Sequence, residues 1–170
     1  MKIVLRNIQR LCPMKAARIR VLVQWLIRQQ ASGLSAFSSI SLIITDNEGI
    51  TGINGNLFGK NYPTDVISAL YQPLPGPGGS QTAEIFVNME RAWELGRTPD
   101  RASRELALYI AHGLNHLGGA SDHTPRLRAR MRRQEAAWLQ QATRLRHLND
   151  LFVKFQSSNQ KELSRKEHKG

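Results

Sequence analysis

The stretch PDRASRELALYIAHGLNHLGGASDH, residues 99–123, decides how the rest of the chain is read. Pro99 suits a first helical position, where its missing N–H removes no bond. A long helix over Arg101 to Leu117 follows, and Gly118-Gly119 ends it. His112 and His116 stand four apart, so both imidazoles lie on one helix face, a turn from each other. Two rings so placed can reach one divalent cation. The glycine pair lets the backbone fold back and bring Asp122 or His123 toward the same point. Three protein ligands and one open position is how hydrolytic zinc sites are built, the open place holding an activated water. The peptidase form of the H-x-x-x-H pattern carries Glu directly after its first histidine as general base. Here that place is Gly113, so a metallopeptidase lacks its base.

Working outward, the strands lie before this helix and the helices around and after it. Lys2 to Ile8 alternates enough to open with a short strand. Met14 to Gln30 reads as a first helix, with Ile19, Leu22, Val23, Leu26 and Ile27 on one face and an end near Gly33. Ser39 to Thr45 (SISLIIT) is rich in β-branched residues and reads as a buried strand. Asp46 can cap a short helix from Asn47. A turn-rich loop over Gly59 to Asp65 feeds a strand at Val66 to Tyr71, and Thr82 to Asn88 returns as another. Between them, Pro73 to Ser80 reads as a flexible surface loop. Thr124-Pro125 opens a last helix with Leu127, Met131, Ala136, Leu139 and Leu145 as its apolar positions. The expected class is α+β: a single small mixed sheet packed with helices, the metal site at the end of a long helix in the C-terminal half. The expected organisation is one domain over residues 1–149 and a basic, flexible tail over 150–170.

Composition agrees with a small soluble domain. At 170 residues, 41% hydrophobic and 22% charged, one core is the default. The single Cys12 excludes an intramolecular disulfide framework and any multi-thiolate metal site, and beside Pro13 it reads as inert. No apolar run approaches the ~20 residues that span a bilayer. Formal charge is +11 and unevenly spread. Residues 1–30 hold seven bases and no acid, 31–123 five bases against nine acids, and the last 47 residues twelve bases against four acids. A near-neutral middle between basic flanks suits a central site with a polyanion gripped by the ends. Trp25, Trp93 and Trp138 fall among apolar residues at helical spacing and read as packing.

Three blocks resemble the YbeY family, bacterial rRNA maturation factors with metal-dependent endoribonuclease activity. His112, Gly113, His116 and Gly119 fit its H-G-x-x-H-x-x-G-x-D-H signature. Gly59, Pro63, Thr64, Asp65, Val66 and Ser68 fall in register with an upstream L-N-x-x-x-R-G-x-x-x-P-T-D-V-L-S block. Ala83 to Asn88, followed by Glu90-Arg91-Ala92, is similar to its G-D-I-x-I-S strand, and the likeness spans roughly residues 35 to 125. The terminal Asp-His of the signature sits one residue later here, which by register puts Asp122 in the third ligand's place, with His123 as the alternate. Phe58 stands where the family usually carries an arginine thought to serve the RNA phosphate or catalysis, and Lys60 is placed to supply that charge.

The resemblance implies a single-strand-specific endoribonuclease of 16S rRNA 3′-end maturation and ribosome quality control, cytoplasmic, working on rRNA and the small ribosomal subunit. It implies one Zn²⁺ per chain held by His112, His116 and Asp122 or His123, the two histidines acting in catalysis through the water that the cation activates. No nucleotide cofactor and no membrane are expected. Asp65 is the expected partner for a ligand histidine's second nitrogen. Arg126, Arg128 and Arg130 alternate and cannot all share one helix face; Lys60, Arg126 and Arg130 are the expected RNA contacts. The alternative is a non-catalytic ribosome-assembly factor that binds RNA and keeps the metal for structure, a reading Phe58 favours.

Overall fold

The computed structural model describes residues 1–30, 33–72 and 80–153. Its elements are β1 (Lys2–Asn7), α1 (Ala16–Gln29), β2 (Phe37–Thr45), α2 (Asn47–Phe58), β3 (Val66–Tyr71), β4 (Gln81–Asn88), α3 (Met89–Gly96), α4 (Pro99–Leu117) and α5 (Pro125–Arg144). The architecture is α+β. Strands run in the order β1-β2-β4-β3, with β1, β2 and β4 parallel and β3 antiparallel to β4, so the sheet is mixed.

Strand pleat separates the two faces. Leu42 pairs with Ile85 and Ile85 with Ser68, while Ile44 pairs with Val87 and Val87 with Val66. These positions share the face covered by α1 and α4. There Leu22, Leu26, Ile44, Ile85, Leu106, Ile110 and Leu114 are almost wholly buried, each such side chain stabilising the fold by roughly 1.5–3 kcal/mol. Ile43, Phe86 and Ile67 alternate to the opposite face, where Ile50 of α2 is also buried.

Local chemistry sets the helix starts. Asp46 accepts from the Gly49 N–H at 2.9 Å, Asn88 from Arg91 at 3.1 Å, and the Thr98 and Thr124 hydroxyls cap α4 and α5 ahead of their prolines. The first helix begins at Ala16 rather than Met14, because Met14 is held in a β-bridge to Phe152. The Lys15 N–H donates to Leu151 at 2.8 Å and the Val153 N–H to Pro13 at 3.0 Å. Leu151 and Phe152 are buried in the main core, so packed chain continues past residue 149. The remainder of the expected tail, 154–170, and most of the expected loop, 73–79, lie outside the described residues.

Candidate metal centre

The site grows from the last two turns of α4. After Leu117 the Gly118 N–H returns to Leu114 at 2.9 Å, Gly119 takes a left-handed φ of 85°, and the Ala120 N–H reaches the Asn115 carbonyl at 2.9 Å. This reversal carries the following residues back over the helix end. Ligand atoms of His112, His116 and Asp122 then all lie within 4.8 Å of one another. His123 is exposed, with its N–H on the Ser121 hydroxyl, and stands outside that group.

The two imidazoles meet at their Nε2 atoms, 3.0 Å apart, with the rings edge to face. Their outer nitrogens are supported from behind. His112 Nδ1 lies 2.9 Å from Glu135 Oε1 of α5, and the His116 ring has a hydrogen bond to the Ala120 backbone. Glu135 also accepts from Asn115 Nδ2 at 3.0 Å, and Asn115 Oδ1 accepts from Gln30 Nε2 at 2.6 Å. Gln30, Asn115, Glu135 and His112 thus form a polar chain tying α1, α4 and α5 together beneath the site. Asn115 is fully buried and Glu135 nearly so.

This arrangement pushes the two histidines apart electrostatically. The hydrogen bond to Glu135 raises His112 above the usual imidazole range, against the opposing effect of burial. Burial, then repulsion from His112, lowers His116. Where His112 is charged and His116 neutral, one proton bridges the facing nitrogens. With His112 Nδ1–H held by Glu135, its inner Nε2 is the free ligand atom. Two imidazole nitrogens and a carboxylate oxygen gathered this closely form a ligand set that a divalent cation such as zinc accepts, and bound there it would take the place of the shared proton.

Gly113 has a packing reason. A Cβ there would lie 2.7 Å from Ile85 Cγ2 and 3.0 Å from Ser68 Oγ, so glycine allows α4 to lie close against β3 and β4. Ser68 Oγ donates to the Gly113 carbonyl at 3.2 Å, fixing that contact.

A cleft of about 810 Å³ opens over the triad between β3, α4 and α5. Asp65 lines it but pairs with Arg91 at 3.6 Å, and the carboxylate on a histidine's outer nitrogen is Glu135 instead. Arg126 and Arg130 do not line the cleft. The arginines that do are Arg104 of α4 and Arg128 and Arg132 of α5. Helical periodicity explains the difference, since 128, 132 and 136 share the cleft side while 126 and 130 are turned off it. Lys60 lies in a neighbouring hollow with Phe58. Glu135 escaped the sequence reading, although a signal existed: it is an acid set among Met131, Trp138 and Leu139, the buried positions of α5. An acid on a buried helix stripe calls for a partner.

The sequence model of a family described as Endoribonuclease YbeY matches residues 5–143. The Endoribonuclease YbeY of Salinibacter ruber is 28% identical over 130 residues, covering 73% of this chain and 81% of the relative. The human protein of that name is 28% identical over 153 residues, covering 85% and 90% respectively. That of Elusimicrobium minutum is 34% identical over 108 residues, covering 59% and 75%. The solution structure of TM1509 from Thermotoga maritima superposes with a TM-score of 0.56 at 18% identity, over 89% of this chain and 97% of that one, a likeness of fold.

Proposed function

The chain belongs to the YbeY family of endoribonucleases, and from that premise we propose that it is a zinc-dependent, single-strand-specific endoribonuclease of 16S rRNA 3′-end maturation and ribosome quality control. The family is one of hydrolases that cut RNA. The observation that carries the finer reading is the gathering of His112, His116 and Asp122 within 4.8 Å at the floor of a cleft. One Zn²⁺ per chain would be held by these three, with His123 as the alternate third ligand. Bound there, the cation supplies Lewis-acid polarisation of a water or a phosphoryl oxygen.

The remaining work falls to the chain's own groups. Glu135 holds the Nδ1 proton of His112 and keeps Nε2 turned into the cleft. Arg104, Arg128 and Arg132 line the same space and are placed to bind the phosphates on either side of the scissile bond. Asp65, held by Arg91 at the cleft wall, borders the strand's path. Basic flanks outside the cleft, Arg126 and Arg130 among them, add salt-sensitive attraction to rRNA and the small ribosomal subunit. Among the described residues no helix is long and apolar enough to cross a membrane; the proposed place of action is the cytoplasm, and the proposed unit is one metal-binding domain with a basic C-terminal extension.

Purified protein incubated with unstructured RNA should cut it, and both chelation and His112→Ala should abolish the cutting. Cells lacking the protein should accumulate 16S rRNA with an unprocessed 3′ end. Phe58, where the resemblance places an arginine, favours a second reading: an RNA-binding assembly factor with a structural metal. Metal-loaded protein that binds RNA in a salt-sensitive way and never cleaves it would establish that reading over the first.

A further inference from the structure

Beside the metal cleft lies a second hollow of about 270 Å³, lined by Phe58, Lys60 and Tyr62 and sharing Thr64, Val66 and Ser68 with the cleft. Phe58 and Tyr62 are among the most exposed large side chains described, at 55% and 54%. Scattered exposed apolar residues are ordinary; two aromatic rings and a lysine around one hollow, sharing a wall with a candidate catalytic cleft, are a combination of a different kind. They are also firmly mounted. The buried Asn54 donates through Nδ2 to the Tyr62 carbonyl at 2.8 Å, and its own carbonyl accepts from the Lys60 N–H at 3.3 Å. Gly59 makes the turn between them with φ 67°, its N–H on the Gly55 carbonyl at 2.9 Å. At the far end of the loop the buried Asn88 donates to the Thr64 carbonyl at 3.0 Å, and its backbone N–H to Asp65 at 2.9 Å. Two buried asparagines thus hold a short loop whose aromatic rings remain open to solvent.

We propose that this hollow is a nucleobase subsite: Phe58 and Tyr62 take an unpaired base of the RNA strand, and Lys60 the phosphate beside it. The inference rests on the RNA reading of the metal cleft. Single-strand sites combine a cationic group on the backbone with aromatic faces on which bases stack, a contact that every base offers. A double-stranded segment keeps its bases stacked inside and gains nothing from the rings, so the hollow favours single strands. The shared wall of Thr64, Val66 and Ser68 makes the occupant a neighbour of the nucleotide lying in the metal cleft. A loop whose backbone is already held by these hydrogen bonds loses little freedom on binding.

The test uses the full chain with chelator present, so that nothing is cut, and a short oligouridylate as probe. Phe58→Ala and Tyr62→Ala should each weaken binding about 5- to 150-fold. Leu57→Ala, at an exposed neighbour that does not line the hollow, should leave affinity unchanged. Phe58→Trp should retain affinity, and its added fluorescence should be quenched by oligouridylate but not by inorganic polyphosphate, which has the charge without the bases. Wild-type affinity in Phe58→Ala, or equal quenching by polyphosphate, overturns the subsite while leaving the RNA reading intact. Failure of the wild type itself to bind oligouridylate at low salt overturns both.

Discussion

Glu135 offers the sharpest perturbation, because it acts on the metal centre from a helix that contributes none of the three candidate ligands. Its Oε1 receives both His112 Nδ1 at 2.9 Å and Asn115 Nδ2 at 3.0 Å in a nearly dry setting. Glu135→Gln keeps an oxygen for both donors and removes the charge. Glu135→Ala removes the acceptor, leaves the fully buried Asn115 amide unpaired, and opens a void. Leaving that amide unpaired costs about 1–3 kcal/mol and the void adds to it, so the alanine variant should be markedly unstable and the glutamine variant is the informative one. Loss of a carboxylate behind a ligating histidine weakens metal binding by roughly 10- to 100-fold, and zinc titration against a competing chelator measures this. The sign with pH is fixed by His112. Its folded pKa is raised above 6.5 chiefly by Glu135, so the stabilisation it gives the metal-free protein is complete below 6.5 and lost as pH rises through the raised value. His116 has the opposite sense, its lowered pKa removing stability as pH falls through the region below 6.5. It is present in both proteins, so the difference between wild type and Glu135→Gln mainly reports His112. That difference, from denaturant unfolding of metal-free protein, should be larger well below 6.5 than well above it. A Glu135→Gln variant with wild-type zinc affinity and a pH-independent stability difference would refute the positioning role.

Asp122→Ala should lose bound zinc on purification while His123→Ala retains it; metal analysis showing the reverse would move the third ligand to His123. Gly113→Ala gains at most about 1 kcal/mol of helix propensity, but its methyl group meets the fully buried Ile85 at 2.7 Å. Overpacking of that kind costs about 1–3 kcal/mol, so thermal unfolding should occur a few degrees lower, and an unchanged or higher Tm would contradict the close helix–sheet contact. Cys12 is 3% exposed and its thiol is pushed up to about 12 by burial. At neutral pH a thiol reagent should therefore react with the native protein only as fast as the core opens, and immediate stoichiometric labelling would contradict that.

What the sequence made legible was what lies within one element. The SISLIIT run, the Asp46 cap and the Pro99 helix each carry their signal locally, and all appear in the fold. The histidine pair was readable for the same reason, since one helix places both rings. Sheet order was not: β4 inserts between β2 and β3, and β3 turns antiparallel, choices made by packing between segments far apart in sequence. The start of α1 moved because Met14 finds a strand partner 138 positions later, at Phe152. Glu135, 23 residues beyond His112 on another helix, belongs to the same class. So do the arginines of α5. Their alternation showed that only some face the cleft, but which ones depended on how Met131, Trp138 and Leu139 dock.

The same geometry separates this H-x-x-x-H spacing from its peptidase form. In the H-E-x-x-H arrangement the acid follows the first histidine directly and works beside the metal. Here that position is pressed against the sheet, at Ile85, Ser68 and Val66, where even one added carbon is too close. A glutamate substituted at 113 would meet the sheet before it met a substrate. The carboxylate nearest His112 comes instead from α5 and sits behind the ring, at Nδ1, where it is committed to two hydrogen bonds. It can orient the ligand and raise its basicity, but it lies on the wrong side of the imidazole to take a proton from a group bound at Nε2. Arg104, Arg128 and Arg132 line the cleft beside Asp65, Glu105 and Asp122, and these arginines offer partners to a substrate that brings its own negative charge. A phosphodiester does so, and a peptide bond does not.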